Sequence, residues 1–424
     1  MSRFDVAVVG GGPAGIAAAL SATAGGAHTL LVERDARLGG NVTHALVHTI
    51  CGLYAVDAGA QPELLHPGLP ARLVRALLRA GGAGEPEASG RVHYLPLRPP
   101  VFGEVVTAAC ERAKGLELRP ATALVGARFE ADGDALLLLS GPDGETRVRA
   151  SQVIDTSGEA AVAAAADADT QLEASARRQR ASFIFRIEGV EDTGIEGFAR
   201  LQLSAAVARA SRRGALPEGC ESVVVRPDAA GSLYATLTLP APPEVCGGAP
   251  SAAELAGQGR DWAERVTGFL RETRPGFAAA RVSHWPGRVG VREAARVVGQ
   301  VEIDRDHVLS GATTPDEVAR SAWPIELWED HRRPRFELPA APCSVPLGAL
   351  VSRSQPRLGA AGRCLSASHE ALGALRVIGT ALATGEAVGA AAALAADAGA
   401  TLASLEPARV RERVVAQAER LPFP

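Results

Sequence analysis

A chain of 424 residues is too long for a single hydrophobic core, which places it in the two-domain range. With 47% hydrophobic and 22% charged residues it is not a largely disordered chain, and a net charge of −4 gives no basis for nucleic acid or an anionic membrane surface as partner. Lys114 is the only lysine among 44 basic residues, so chemistry that needs an amine elsewhere is excluded, and the arginine and alanine bias suits a GC-rich bacterial genome.

The first element is a strand over residues 5–9, a β-branched apolar run, followed by a helix of small side chains over 16–20. Between them stands Gly10-x-Gly12-x-x-Gly15. Gly10 permits the tight turn, Gly12 lets backbone approach a pyrophosphate, and Gly15 allows close helix–strand contact, so that a helix N-terminus with free N–H groups faces the phosphates. A second strand, 29–32, ends in Glu33, at the distance where an acidic side chain bonds a ribose hydroxyl. The motif fits FAD or NAD equally.

Residues 37–54 read as a loop and helix, and the Pro/Gly-rich stretch up to residue 100 as a cap carrying an amphipathic helix over 69–79. A helix over 101–114 and a strand over 116–119 lead into a β-meander of strands 123–130, 135–140 and 146–150, with turns at Asp132-Gly133-Asp134 and Gly141-Pro142-Asp143-Gly144. Residues 152–155 return to the sheet and meet Thr156-Ser157-Gly158. From 159 to 342 separate strands and helices follow (182–187, 222–225, 233–239, 252–273), and 360–398 closes the chain with a strand-like turn and a long helix of small residues. That helix is apolar, but its charged residues and glycines suit a buried helix packed near the cofactor better than a membrane span. Cys51, Cys110, Cys220, Cys246, Cys343 and Cys364 show no C-x-x-C and no metal-type spacing, which points to reduced thiols, a cytoplasmic setting and no metal site.

These parts, taken in order, resemble the FAD-dependent oxidoreductase family of the glutathione-reductase-like flavoprotein fold. The resemblance rests on Gly10 to Gly15, Glu33, Gly39-Gly40, Ile154-Asp155-Thr156-Ser157-Gly158, the segment from Gly290 to Gly299, Trp323-Pro324-Ile325, and the segment from Ala361 to Arg376. It implies an α/β fold: a Rossmann-like FAD-binding domain with a β-meander, built from 1–158 and 343–424 with a cap at about 45–100, plus a mixed α+β substrate domain over 159–342. It implies FAD, with Gly10, Gly12, Pro13, Ala14 and Gly15 at the pyrophosphate and Glu33 and Arg34 at the adenosine ribose. Gly39, Gly40, Asn41, Val42 and Thr43 would lie at the ribityl and ring region, and Leu124 on the adenine side. Thr156, Ser157, Gly158, Gly362 and Arg363 would support the cofactor, and a helix start over Gly373, Ala374, Leu375 and Arg376 would face the flavin pyrimidine. Gly362-Arg363 departs from the Gly-Asp of flavin hydroxylases, and no second GxGxxG, halogenase-type lysine or cysteine pair beside Gly40 is present.

A flavin exchanges hydride at N5, so the protein must place a substrate carbon there and move a proton. His44 and His48 are four apart, on one face if their segment is helical, and are the first candidates for proton transfer, with His369 third. Arg292, Arg296 and Arg376 are candidates to clamp a substrate carboxylate, against the alternative of Arg–Glu pairing such as Arg292 with Glu293 or Arg376 with Glu370. The expectation is a dehydrogenase or oxidase acting on a small organic molecule beside an alcohol or amine. The alternatives are a C=C reductase fed by an external electron donor and a non-catalytic FAD-binding electron-transfer subunit. The implied partners are a small-molecule substrate and an external donor or acceptor.

Overall fold

The computed structural model describes all residues except 57–60, 132, 175, 192–196, 230, 242–248 and 424, so Cys246 and Asp132 lie outside the described residues. Its main sheet runs in the order Leu116–Arg119, Thr29–Val32, Ser2–Val9, Gly144–Asp155, and then Ala135–Gly141 and Ala123–Phe129. The first four strands are parallel, and Leu358–Ala360 joins them by pairing parallel with residues 153–155. The architecture is thus α/β with a Rossmann-like, mainly parallel sheet. Ser2–Val9 reads as an unbroken apolar run because both its faces are covered: Val6 and Val8 belong to one core and Phe4, Ala7 and Val9 to another.

The strands expected at 146–150 and 152–155 are one strand, Gly144–Asp155. Its first half pairs antiparallel with Ala135–Gly141 and its second half parallel with Leu358–Ala360, while Ser2–Val9 runs beside both halves, so a single extended segment serves meander and sheet together. The helix expected around 101–114 is Pro99–Arg112, opened by proline at its first turn.

A long helix, Ile378–Asp397, lies against the glycine-turn helix Pro13–Ala24. Its small residues explain the closeness. A methyl on Gly385 would sit 2.2 Å from the Ala14 carbonyl oxygen, and one on Gly389 2.2 Å from that of Ala18. It is the one helix among the described residues long and apolar enough to cross a membrane, and 94% of its apolar window is buried in the protein.

A second core forms around the antiparallel sheet Val224–Pro227, Ser232–Leu239, Ala181–Glu188 and Arg281–His284. Phe183, Phe185, Ile187, Leu233, Ala235 and Leu237 share this core with residues of the helices Gly197–Arg212 and Ala249–Thr273. The intervening residues Ser182, Ile184, Tyr234 and Thr236 therefore point to the sheet's other face. Ile303, Val308, Ala319, Ile325 and Leu327, although they follow this sheet in the chain, pack into the first core.

Candidate functional site

The glycine turn sits where strand Ser2–Val9 ends at the sheet's carboxyl edge. Gly10 has φ +107°, and the Thr156 hydroxyl, from the end of the neighbouring strand, donates to the Gly10 carbonyl at 2.8 Å, pinning the turn. Helix Pro13–Ala24 starts at Gly12 with no side-chain cap and no acidic residue in its first turn, so its N–H groups remain available for an anion. Glu33 lies beside it, 4% exposed, its carboxylate accepting from the Gly11 and Asp35 amides at 2.6 and 2.9 Å. Asp155 accepts from Ser157 and from the Val162 and Ala163 amides, fixing the segment that carries Gly158.

Gly10, Gly12, Glu33, Thr156 and Gly158 line one cleft of about 400 Å³ that opens to solvent. Of the residues expected at the cofactor, Gly10, Gly12, Pro13, Ala14, Glu33, Arg34, Gly40, Asn41, Val42, Leu124, Thr156, Ser157, Gly158, Gly362, Arg363 and Arg376 line it. Gly15, Gly39 and Thr43 act from behind: a methyl at Gly15 would lie 1.7 Å from the Gly10 carbonyl oxygen, and the Thr43 hydroxyl donates to the Leu38 carbonyl beneath the Gly39 turn. The helix start expected at residues 373–376 falls instead at Ile378, because a short helix, His369–Leu375, capped by Ser368, precedes it. Gly373, Ala374 and Leu375 are buried there, with Gly373 packed on the Ile325–Leu327 strand, outside the cleft. Val377 and Ile378 line it in their place.

Across the cleft stand Val47, Thr49 and Cys51, then Ser182, Ile184 and Thr236 from the second sheet. Sequence reasoning passed over Thr49, Ser182, Ile184 and Thr236, although the alternation of 181–187 carries the signal for a two-faced strand. Two guanidiniums also face in. Arg292 donates to the Arg180 carbonyl at 2.6 Å and lies 4.5 Å over the Trp328 ring. Burial and the neighbouring Arg376 pull its pKa down to about 9. Arg376 donates to the Glu326 carbonyl, and its Nε is buried with no hydrogen-bond partner. The Glu326 carboxylate, the nearby countercharge, is already held by the indoles of Trp323 and Trp328 at 2.9 and 2.6 Å. Neither expected Arg–Glu pairing forms: Glu293 is taken by Arg296 at 2.8 Å and by His369, and Glu370 by Arg177 at 2.8 Å. Arg296 is thereby sealed in the interior, away from the cleft.

The histidines do not meet in the cleft. Leu46 has φ +55°, which ends the helix Asn41–His44, so His44 and His48 do not share a helical face. His44 bonds the Arg37 carbonyl at 3.0 Å. His48 is buried, stacked on Tyr234 with ring centroids 4.5 Å apart, and burial together with Arg226 lowers its pKa to about 4. His369 is 2% exposed, bridging Glu293 at 2.9 Å and Glu329 at 3.0 Å; burial opposes its charge, but the two carboxylates hold its pKa above the usual value. Cys364 is also interior, its sulfur accepting from the Gly158 amide at 3.1 Å, and burial raises its pKa far above the usual thiol range.

An uncapped helix start, an acidic residue at the second strand's end and an orphaned guanidinium nitrogen in one cleft fit a dinucleotide. The family model described as FAD dependent oxidoreductase matches residues 5–414. A geranylgeranyl bacteriochlorophyll reductase-like protein from Thermoplasma acidophilum shares the fold, with TM-score 0.51 and 14% identity over 99% of this chain and 84% of that one. The flavin-dependent brominase Bmp2 has a TM-score of 0.48 and 12% identity, covering 97% of this chain and 83% of its own. p-Nitrophenol 4-monooxygenase PnpA from Pseudomonas putida DLL-E4 has a TM-score of 0.46 and 13% identity, covering 99% and 86%. No curated relative matches. The chain belongs to the FAD dependent oxidoreductase family, an enzyme family whose cofactor is FAD.

Proposed function

We propose that this enzyme is a dehydrogenase or oxidase of the glutathione-reductase-like branch of flavoproteins, removing hydride from a small organic substrate and passing the electrons to an external acceptor. The observation that carries the reading is the make-up of the cleft: an anion-ready glycine turn on one side and, on the other, a sheet face of Ser182, Ile184 and Thr236 flanked by Arg292 and Arg376. FAD, when bound, supplies the hydride acceptor at flavin N5. Gly12, Pro13 and Ala14 would hold its pyrophosphate, Glu33 and Arg34 its adenosine end with Leu124, and Gly40 to Val42 with Gly362 and Arg363 its central portion. Arg292 and Arg376 leave a surplus of positive charge at their end of the cleft, which stabilises negative charge arriving with hydride. Ile184, Val47 and Cys51 would supply the apolar part of the wall around the substrate. In this reading residues 1–158 and 343–424 bind the cofactor and 159–342 supply the substrate side through the core of 181–289, while Ile303 to Leu327 pack on the cofactor-side core. Its cysteines, unpaired among the described residues, suit a reducing cytoplasm.

Anaerobic mixing of the FAD-loaded enzyme with a panel of alcohol and amine metabolites tests it. At least one should bleach the flavin and yield its two-electron oxidation product. If none does, and only the chemically reduced enzyme turns over, by saturating an activated alkene, the reaction runs in the opposite direction.

A further inference from the structure

The face of the second sheet that lines the FAD cleft does not stop there. Tyr234 lies two residues before Thr236 on one strand, about 6.6 Å along it, and is paired with Arg226 on the next. Tyr234 and Arg226 wall a second cavity of about 190 Å³, and Thr49 lines both this cavity and the cleft. The rest of its wall includes His48, Tyr94, Arg98 and Arg200, with Glu87 and Asp228 as its acidic residues.

The charges in this cavity do not cancel. Asp228 is engaged by Arg186 at 2.6 Å, and Glu87 accepts the Tyr94 hydroxyl, so neither carboxylate serves Arg226. The Arg226 guanidinium lies 4.2 Å over the Tyr94 ring and forms no ion pair among the described residues. A cation stacked on an aromatic face and lacking a carboxylate keeps its planar fork of donors for a ligand. His48 adds a flat surface rather than charge, since burial keeps it neutral near pH 7. The Arg226 fork, with Tyr94, Tyr234, His48, Pro96 and Leu97 around it and the positive charge of Arg98 and Arg200 in the same wall, suits an anion with a planar apolar body.

We propose that this cavity is an organic-carboxylate pocket, in which Arg226, backed by Arg98 and Arg200, holds the substrate's carboxylate while the body of the molecule extends past Thr49 into the FAD cleft. The assignment rests on the oxidoreductase reading for what lies in the cleft, and deepens it by naming the substrate class: small monocarboxylates with an aromatic or conjugated body.

The test uses benzoate and its neutral counterpart benzyl alcohol, titrated calorimetrically into the FAD-loaded protein, with the flavin absorbance followed in parallel. Benzoate should bind at least tenfold more tightly than benzyl alcohol and perturb the flavin band. Arg226→Gln should weaken benzoate by about tenfold to a hundredfold while leaving benzyl alcohol unchanged, and Arg226→Lys should recover part of the loss. Equal binding of the two probes to the unmodified protein overturns the proposal, as does benzoate binding indifferent to Arg226→Gln; the first comparison needs no variant to fold. If benzoate binds in an Arg226-dependent way and yet no metabolite reduces the flavin, the pocket stands and the dehydrogenase reading fails.

Discussion

A methyl group added at Gly12 would meet nothing nearer than the Gly40 Cα, 3.8 Å away, whereas one at Gly15 would lie 1.7 Å from the Gly10 carbonyl oxygen. Gly12 has φ −76°, which any residue adopts, so its lack of a side chain serves the open cleft and not the fold. Gly15→Ala should therefore lower the melting temperature sharply or prevent folding, by a backbone clash that nothing can relax, while Gly12→Val melts close to the parent; thermal unfolding by circular dichroism of the two cofactor-free proteins separates them. At this scale the glycine motif and Glu33 were legible, because their roles are local. The roles of the histidines were not. One positive φ at Leu46 separates His44 from His48, and contacts with Tyr234, Glu293 and Glu329, 40 to 186 residues away in sequence, decide where His48 and His369 lie.

Among the elements, the helix Ile378–Asp397 carries a carboxylate in an otherwise apolar, small-residue surface. Glu386 is 3% exposed and accepts from the Leu69 amide at 2.8 Å at the start of helix Leu69–Arg79; burial raises its pKa to about 7. A carboxyl whose folded pKa lies above its unfolded value favours the folded state fully below the unfolded pKa, and that contribution is lost as pH rises from about 4.5 to about 7. Glu386→Gln, which keeps an acceptor for Leu69 and removes the buried charge, should leave stability near pH 4 unchanged and raise it at pH 8 by on the order of 3 kcal/mol. Denaturant melts at the two pH values measure this; an equal effect at both would mean the carboxyl titrates as it does in the unfolded chain. Helix Leu69–Arg79 and the strands Thr29–Val32 and Leu116–Arg119 were readable to the residue from periodicity and flanking glycine or proline. Gly144–Asp155 was not readable as one strand, since its two halves have different partners and therefore different patterns.

Across the whole molecule, the helices Pro13–Ala24 and Ile378–Asp397 bring the two ends of the chain together, with Gly385 and Gly389 of the second against the Ala14 and Ala18 carbonyls of the first. The opposite wall of the cleft was hidden: Ser182, Ile184 and Thr236 are ordinary strand residues whose role depends on how the second sheet faces the first core. Nor could the sequence show that Ile303 to Leu327 rejoin the first core, a matter of long-range packing alone. We propose that FAD lies along the Gly12 face of this cleft. The most direct measurement is the FAD released on denaturing the purified, FAD-reconstituted protein beside its Gly12→Val variant. The parent should release about one FAD per chain, as one Rossmann-type site requires, and the folded variant almost none. Full FAD content in the folded variant would contradict this placement and put the cofactor elsewhere.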